Sequence, residues 1–584
     1  MSYESEKKIC QNCKGEFTIE PDDFGFYEKI KVPPPTFCFD CRLKRKFAYM
    51  NERTLFKRKC DKCSKDMISM FSPQSEHIIF CTSCYNDRGN CLEYGMNYDF
   101  SRPFFEQFTE LHKKVPKLHL MHKNNNAEKC EYANYTYKSR NVYLSYAVVR
   151  SEDIFYCKQV QGENKVCLDS YNIKSSERGY ELVDVSRNYN CRFFIRSDHS
   201  IDSAYLFGCR ECNNCFMSSN LRNKSYVFKN QQLSREKYLE TMKKFPLDSY
   251  KVQEELKKEF HELIKNSIRP PAFVKSVENV SGDFIGHSKN AHYCFGNVDT
   301  ESSKYIVFGV NEVRDSYDLV FSGRSELCYD AAGSGTQNNH VIFSVDVGAN
   351  HDIAYCTSVN NCSDCFGCCG LTNKNYCIFN KQYTKEEYEK LIPKVIEHMN
   401  TMPYIDKKKR IYKFGEFFPI EFSAFAYNES LAFEEFLMTK KEVSEEGYQW
   451  RDSEEKIYET TIKSAQLPDS IQEVTEGILK EVIACPNKGQ VETKCTFAYR
   501  IVVDELRFYQ LMKIPLPRYC PNCRYYKRRQ FINPFKLWHR QCICDKANHP
   551  NHLDTRCSNE FETSYAPERP EIVYCEKCYQ QEVY

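Results

Sequence analysis

The sequence has no apolar run that approaches the ~18 residues of a membrane-spanning helix. Its first residues, MSYESEKKICQNC, are polar and charged, so we expect no secretory signal. A Gly-rich phosphate loop, G-x-S-x-G and H-E-x-x-H are also missing, which removes the motif basis for three common classes of enzyme. We therefore expect a cytoplasmic protein with no membrane contact and no small-molecule substrate.

The sequence is long, rich in cysteine and uneven in its distribution of charge. At 584 residues the chain is too long for one core, so several domains are expected. Without a secretory signal, its 33 Cys fit metal ligands and buried thiols better than disulfides. The net charge of +2 conceals two basic segments, residues 41–60 with a local +7 and 523–542 with +6, which leave 2 − 13 = −11 for the remainder.

Four Cys-x-x-Cys pairs mark the N-terminal region. Each pair can present two thiolates to one ion, and two pairs complete the tetrahedral all-sulfur environment that suits zinc. The pairs are Cys10 with Cys13, Cys38 with Cys41, Cys60 with Cys63, and Cys81 with Cys84. Sequential sharing is simplest, with the first two pairs on one zinc and the last two on another, and interleaved sharing stays open.

The C-terminal end repeats this module. At an offset of 482, Cys13, Cys38, Cys41 and Cys60 fall on Cys495, Cys520, Cys523 and Cys542. At an offset of 494, Cys63, Cys81 and Cys84 fall on Cys557, Cys575 and Cys578, beyond an insert that contains Cys544, His549 and His552. Cys10 has no counterpart, so Cys485 is predicted to replace it. We predict four closed, structural Zn²⁺ sites, with Cys542 favoured by the template and Cys544 as the alternative in the last.

The basic segment of each module mixes cations with aromatic rings, a composition typical of nucleic-acid surfaces. The predicted nucleic-acid contacts are Arg42, Lys44, Arg45, Lys46, Arg53, Lys57, Arg58, Arg524, Lys527, Arg528, Arg529, Lys536 and Arg540. Two other interpretations stay open. The segments could be solvated basic faces over packed aromatics, or they could bind an acidic protein surface, such as the acidic middle of this same chain.

Between the modules, short β-prone runs with polar corners recur roughly 10 to 14 residues apart, as in NVYLS, DIFYC and KVCLD. This spacing favours a β-solenoid over a β-sandwich. The pattern stops near 233 and resumes near 279, and residues 212–238 match 362–388 at an offset of 150. A helix is predicted after each half, with Ser234 or Thr384 as N-cap, and could close the end of the solenoid.

Two features inside the solenoids have competing interpretations. Cys-x-x-Cys-x-x-Cys occurs at 209–215 and at 362–368, and we predict buried thiols rather than iron–sulfur ligands. Asp153, Asp169, Asp184 and Asp202 could line a carbohydrate-cleaving site or could be polar corners.

The predicted fold is therefore mainly β, with two β-solenoid halves flanked by duplicated zinc-ribbon modules and joined by short helical linkers. The predicted segments are an N-terminal zinc module (1–100), a helical linker (101–124), solenoid half 1 (125–233), a helical linker (234–278), solenoid half 2 (279–383), a helical or irregular segment (384–480) and a C-terminal zinc module (481–584).

The phrases PPPTFC-x-x-CR, YDFSRPFFEQF, LRNKSY, FGEFFPIE and YAPERPEIVYCEKCYQ resemble a family of large zinc-ribbon proteins of reduced-genome candidate-phyla bacteria. The resemblance runs nearly end to end. It implies zinc modules at both ends and says little about function. Some members carry a CoA-transferase label, which no motif in this chain supports. The chain departs from the pattern in the missing counterpart of Cys10 and in the fewer Cys of solenoid half 1.

From these features we expect a non-enzymatic zinc protein that binds structured RNA, the ribosome being the most abundant candidate, through the basic faces of its two modules. Rigid solenoids would set the distance between those faces. The second hypothesis is a structural or assembly protein that self-associates through the solenoid. The third is a solenoid enzyme that acts on carbohydrate.

Overall fold

The computed structural model describes residues 3–121, 127–452, 458–546, 549, 552 and 556–584. The fold is mainly β, with two β-solenoids and cysteine clusters toward both ends of the chain, which confirms the predicted fold class. None of the described helices combines the length and apolar character needed to cross a membrane.

The chain forms two compact units, and each unit joins segments that are distant in sequence. Unit 1 comprises Met1–His119, Ala272–Asp452 and Phe535–Leu537. Unit 2 comprises Leu120–Pro271, Ser453–Pro534 and Trp538–Tyr584. Each zinc module therefore folds with the solenoid half that lies farther from it along the chain, an arrangement that the order of the predicted segments does not reveal.

Equivalent positions in successive coils of a solenoid are twelve apart in the sequence. Along the first solenoid, Arg192 pairs with Ala204, and Ala204 pairs with Phe216, in parallel strands. Along much of both solenoids every third residue has a left-handed φ, as at Asn172, Ser175 and Arg178. A coil with corners at this interval is four-sided. The spacing of the short β-prone runs in the sequence corresponds to this coil.

The solenoid strands follow these corners closely. Those of the first solenoid are Ala127–Glu128, Tyr132–Tyr137, Ser139–Val149, Ser151–Phe155, Lys158–Gln161, Asn164–Leu168, Tyr171–Lys174, Glu177–Ser186, Tyr189–Ile195, Ala204–Phe207, Phe216–Ser219, Val227–Phe228 and Gln231–Gln232. Those of the second are Val274–Lys275, Glu278–Gly286, Lys289–Val298, Thr300–Lys304, Val307–Arg314, Tyr317–Glu326, Tyr329–Ala332, Asn338–Ile342, His351–Ala354, Ser363–Phe366, Asn375–Ile378 and Lys381–Gln382.

Small polar side chains inside the coil satisfy the backbone at the corners. Three Ser hydroxyls of one coil accept hydrogen bonds from the amides of three Cys in the next. The pairs are Ser197 with Cys209 (3.1 Å), Ser200 with Cys212 (3.2 Å) and Ser203 with Cys215 (2.9 Å). These thiols and those of residues 362–368 are buried, as predicted. Ser and Cys suit this position because they are small and can still bond the backbone.

The C-terminal end of each solenoid is followed by a helix, also as predicted. Ser234 Oγ accepts a hydrogen bond from Lys237 N at 3.2 Å and begins helix Arg235–Met242. Thr384 and Glu387 form a capping box that begins helix Lys385–Thr401. Tyr388 of this helix packs on Tyr376 of the last coil, with ring centroids 5.9 Å apart, so the helix covers the end of the solenoid.

The remaining elements belong to the modules and linkers. The helices are Pro21–Lys29, Phe39–Ala48, Thr82–Asn86, Phe104–Lys114, Tyr250–Asn266, Leu431–Glu435, Lys440–Glu445, Val503–Met512, Pro521–Arg529 and Glu576–Val583. The short strands are Glu6–Ile9, Glu16–Ile19, Phe56–Lys59, Asp66–Ser69, Ile79–Phe80, Lys117–Leu118, Ile268–Arg269, Tyr404–Ile405, Ile411–Tyr412, Ile462–Lys463, Ile483–Ala484, Ala498–Tyr499, Trp538–Gln541, Glu560–Thr563 and Ile572–Val573.

Candidate metal centres and the basic helices

Each candidate metal centre has a cysteine at the start of a helix, and in the first centre another cysteine precedes a tight turn. Cys10 follows strand Glu6–Ile9, and the chain reverses at Lys14, whose φ is 62° and whose amide donates to Cys10 O at 3.1 Å. Cys38 is the N-cap of helix Phe39–Ala48, so its partner Cys41 lies in the first helical turn. Cys81, Cys520 and Cys575 are N-caps in the same way.

The structure brings sixteen Cys into four groups, and the sulfurs within each group lie within 4.8 Å of one another. The groups are Cys10, Cys13, Cys38 and Cys41; Cys60, Cys63, Cys81 and Cys84; Cys485, Cys495, Cys520 and Cys523; and Cys542, Cys557, Cys575 and Cys578. The sharing of pairs is sequential, and Cys485 stands where Cys10 has no counterpart. Cys542 rather than Cys544 completes the fourth group.

The sulfur separations fit a tetrahedral zinc ion. A Zn–S bond of ~2.3 Å places tetrahedral sulfurs about 3.8 Å apart. The structure has 3.7 Å between Cys13 and Cys38, 3.8 Å between Cys63 and Cys81, 3.8 Å between Cys485 and Cys523, and 3.9 Å between Cys557 and Cys575. Four sulfurs leave no open coordination position, so such sites stabilise structure rather than activate water.

Backbone amides support the thiolate form that a metal requires. Cys38 N donates to Cys10 Sγ at 3.3 Å, and Cys81 N donates to Cys60 Sγ at the same distance. Burial raises the pKa of Cys60, but amide donors led by that of Cys81 outweigh it and lower the pKa to about 6. Backbone donors therefore favour the thiolate at Cys60, which is the form in which cysteine binds a metal.

The predicted nucleic-acid contacts of the N-terminal basic helix (Phe39–Ala48) are largely buried. Arg42, Arg45 and Lys46 have only 2%, 1% and 1% of their surface exposed. Arg42 Nε lies 3.0 Å from a carboxylate oxygen of Asp318, and Lys46 Nζ lies 2.6 Å from one of Asp330. Both acids belong to the second solenoid, so the basic helix binds an acidic surface within unit 1.

The C-terminal basic helix (Pro521–Arg529) has the same arrangement in unit 2. Arg524 Nε and Arg528 Nη2 each lie 3.0 Å from the carboxylate of Asp169, a fully buried residue of the first solenoid. At the 482 offset, Arg524 and Arg528 are the counterparts of Arg42 and Lys46. The internal duplication therefore includes the contact between basic helix and solenoid.

These positions correct the expectation of a solvent-facing nucleic-acid surface for Arg42, Arg45, Lys46, Arg524 and Arg528. Their charges are already paired inside the fold, because acidic solenoid residues lie directly beneath both helices. They instead fit the alternative interpretation, in which the basic segments bind the acidic middle of the same chain.

The other predicted contacts lie in mixed environments. Lys44 pairs with Glu446 at 2.6 Å, Arg53 with Glu434 at 3.8 Å and Arg58 with Asp61 at 2.9 Å. Arg529 and Arg540 are partly buried, and Arg540 donates to Ala566 O at 3.3 Å. Lys57, Lys527 and Lys536 are exposed, and Lys536 lies 3.7 Å from Asp40.

Asp318 and Asp330 are acidic partners that the sequence did not identify, whereas Asp169 was named only as a candidate carbohydrate-site residue or polar corner. Asp318 and Asp330 occupy coil corners, with φ of 58° and 45°, and are 0% and 1% exposed. The sequence feature that could have identified them is an Asp within an otherwise apolar run of the solenoid. Asp153, Asp184 and Asp202 are also corners, each accepting from an Asn one coil earlier at 2.7, 2.8 and 2.6 Å. They match the polar-corner interpretation.

No family model and no curated protein matches the chain. A solved structure of a proposed acetyltransferase from Desulfovibrio desulfuricans G20 is 8% identical, covers 48% of this chain and 75% of its own, and has a TM-score of 0.10. A likeness this weak supports no argument about fold or function.

Proposed function

We propose that this protein is a non-enzymatic, zinc-dependent scaffold in which each zinc module is fixed on a solenoid by buried ion pairs. The observation that carries the proposal is the repetition of one contact. Arg42 in unit 1 and its counterpart Arg524 in unit 2 each lie 3.0 Å from a buried corner aspartate of a solenoid, Asp318 and Asp169 respectively.

A buried ion pair of this kind fixes the position of the helix on the solenoid more than it stabilises the fold. Removing the two charges from water offsets much of their attraction, whereas leaving either charge alone is strongly unfavourable. Each pair therefore penalises other placements of the basic helix on the solenoid. Zinc binding contributes folding free energy that the small apolar cores of the modules do not provide, because an all-cysteine site forms only in the folded state. Each unit is therefore a rigid body suited to holding a partner.

Binding of structured RNA, with the ribosome as one possible target, is a second candidate. It now depends on the exposed Lys57, Lys527 and Lys536 rather than on the buried arginines. Three phosphate contacts would reduce log K by roughly 2 to 3 per tenfold increase in salt. Self-association through the solenoid is the alternative form of the scaffold role.

The absorbance ratio at 260 and 280 nm of the protein isolated gently at low salt separates these functions. The scaffold proposal expects a ratio typical of protein, and the same ratio for a triple variant with Lys57→Glu, Lys527→Glu and Lys536→Glu. A high ratio in the wild type that falls in the triple variant would replace the scaffold proposal by RNA binding. Light scattering on the same samples reports whether copies associate.

A further inference from the structure

The C-terminal module contains one metal-ligating cluster beyond the four groups. In the N-terminal module Cys60 and Cys63 form a close pair, whereas their counterparts Cys542 and Cys557 are separated by an insert that raises the offset from 482 to 494. The insert carries Cys544, His549 and His552. Cys544 and His549 come together with Cys578, and their ligand atoms all lie within 4.8 Å of one another.

The cluster is buried and oriented. Cys544 and Cys578 are 0% exposed and His549 is 4% exposed. His549 Nδ1 lies 4.0 Å from Cys578 Sγ, slightly beyond the ~3.6 Å expected for two ligands of one tetrahedral zinc ion. On the opposite side of the ring, His549 Nε2 lies 3.6 Å from a carboxylate oxygen of Glu582. A carboxylate near the second nitrogen of a ligating imidazole favours one orientation of the ring and supports its role as a ligand.

Cys578 also belongs to the fourth all-cysteine group, so the two clusters share one sulfur. A thiolate has more than one lone pair and can bridge two divalent ions. His552 lies beside the cluster, and its ring stacks on that of His549 with centroids 4.9 Å apart.

We propose that the C-terminal module holds, in its last all-cysteine group and this cluster, two zinc ions joined by the Cys578 thiolate. The first is bound by Cys542, Cys557, Cys575 and Cys578. The second is bound by Cys544, His549 and Cys578. The N-terminal module has no equivalent of this site, because the insert that supplies Cys544 and His549 is absent there. The chain would then bind five zinc ions rather than four.

Metal stoichiometry of the full chain, measured by native mass spectrometry, tests the proposal. We expect five zinc ions in the wild type and four in both Cys544→Ser and His549→Gln. Cys167→Ser is the matched control, since Cys167 is a fully buried thiol of the same unit that belongs to none of the metal groups, and it should retain five. Four ions in the wild type, or five in both Cys544→Ser and His549→Gln, would overturn the proposal.

Cobalt substitution tests the bridge itself. Two Co²⁺ ions that share a thiolate are magnetically coupled, so the wild type should give a smaller electron paramagnetic resonance signal per cobalt than Cys544→Ser. Equal signals per cobalt would contradict a shared sulfur. Glu582→Gln should weaken binding of the fifth ion, by about 10- to 100-fold in affinity, because Glu582 faces the imidazole of His549.

Discussion

Arg42 and Arg524 occupy equivalent positions in the two modules, and each lies against a buried aspartate of a solenoid. At the scale of the single residue, this burial changes what a mutation measures. Charge reversal at Arg42 would remove a structural contact, so a loss of RNA binding in such a variant would report unfolding of the module. Exposed positions such as Lys57 are needed to measure binding.

Arg42→Met should lower the free energy of unfolding by about 3–5 kcal/mol, because it leaves Asp318 buried without its closest cation. Lys57→Met, in the same module but exposed, should change it by less than about 0.5 kcal/mol. Urea unfolding followed by circular dichroism measures both. If both variants change the free energy of unfolding by a similarly small amount, the Arg42 contact does not hold helix Phe39–Ala48 on the solenoid.

A buried histidine pair in unit 1 predicts acid sensitivity. His77 Nε2 and His112 Nδ1 lie 3.3 Å apart, and both side chains are buried. Burial lowers the pKa of His77 to about 2 and holds the pKa of His112 well below its ordinary value of 6.5. Their stabilising contribution is complete above the unfolded pKa and is lost as pH falls below it, since only the unfolded rings then bind protons.

The expected loss is about 1.4 kcal/mol per pH unit for each ring once the pH is below about 6.5. We expect His112→Gln to reduce this slope when unfolding is compared at about pH 7.5 and about pH 5.5. Loss of zinc in acid affects wild type and variant alike, so the difference between their slopes isolates the histidine. An unchanged slope would mean that these rings are protonated in the folded state.

At the scale of the element, the second solenoid contains an irregular coil. The pairing of Glu278–Gly286 with Lys289–Val298 shifts register between Val280 and Gly282. Gly282 has a φ of +136°, and a Cβ at this position would lie 1.8 Å from the carbonyl oxygen of Cys294. Only a residue without a side chain fits here, because the obstacle is backbone.

Gly282→Ala should therefore destabilise the solenoid by about 4 kcal/mol or more. Gly286 of the same strand is the matched control, since the nearest atom to its added Cβ would be a Val298 methyl at 3.9 Å. Gly286→Ala should change stability by less than about 1 kcal/mol. Thermal unfolding compares the two, and equal melting temperatures would contradict the tight fit at Gly282.

These elements show which features the sequence could predict. The N-terminal metal groups were predictable because they depend on Cys-x-x-Cys spacing, which is local, and the C-terminal groups because most of their Cys lie at constant offsets from the N-terminal ones. The N-caps Ser234 and Thr384 were predictable because they too depend on local sequence. The corner at every third residue was not predictable. Phe193 and Tyr205 occupy left-handed corners as well as Asn and Asp, so polar residues alone do not mark the three-residue interval. The partners Asp318 and Asp169 were not predictable either, since each lies far from its arginine along the chain.

At the scale of the whole molecule, the central finding is that each compact unit is assembled from distant segments. Unit 1 joins Met1–His119 to Ala272–Asp452. Phe26 stacks on Tyr317 with centroids 4.0 Å apart, and Phe104 packs on Tyr355 at 5.2 Å. In the sequence, Arg42 lies between Phe26 and Phe104, and Asp318 lies between Tyr317 and Tyr355. The module and the second solenoid therefore share one core.

A shared core predicts that the two long segments of unit 1 can assemble as separate chains, without the short segment Phe535–Leu537. Zinc-loaded residues 1–119 and residues 272–452 should form a 1:1 complex, because the apolar and charged contacts that join them need no covalent link between the segments. Asp318→Arg in the larger fragment should abolish the complex, since it places two like charges in one buried site. Asp299→Arg is the matched control, an exposed corner of the same solenoid, and should leave the complex intact. Size-exclusion chromatography with light scattering measures the outcome, and fragments that stay separate would show that these contacts alone do not join the module to the solenoid.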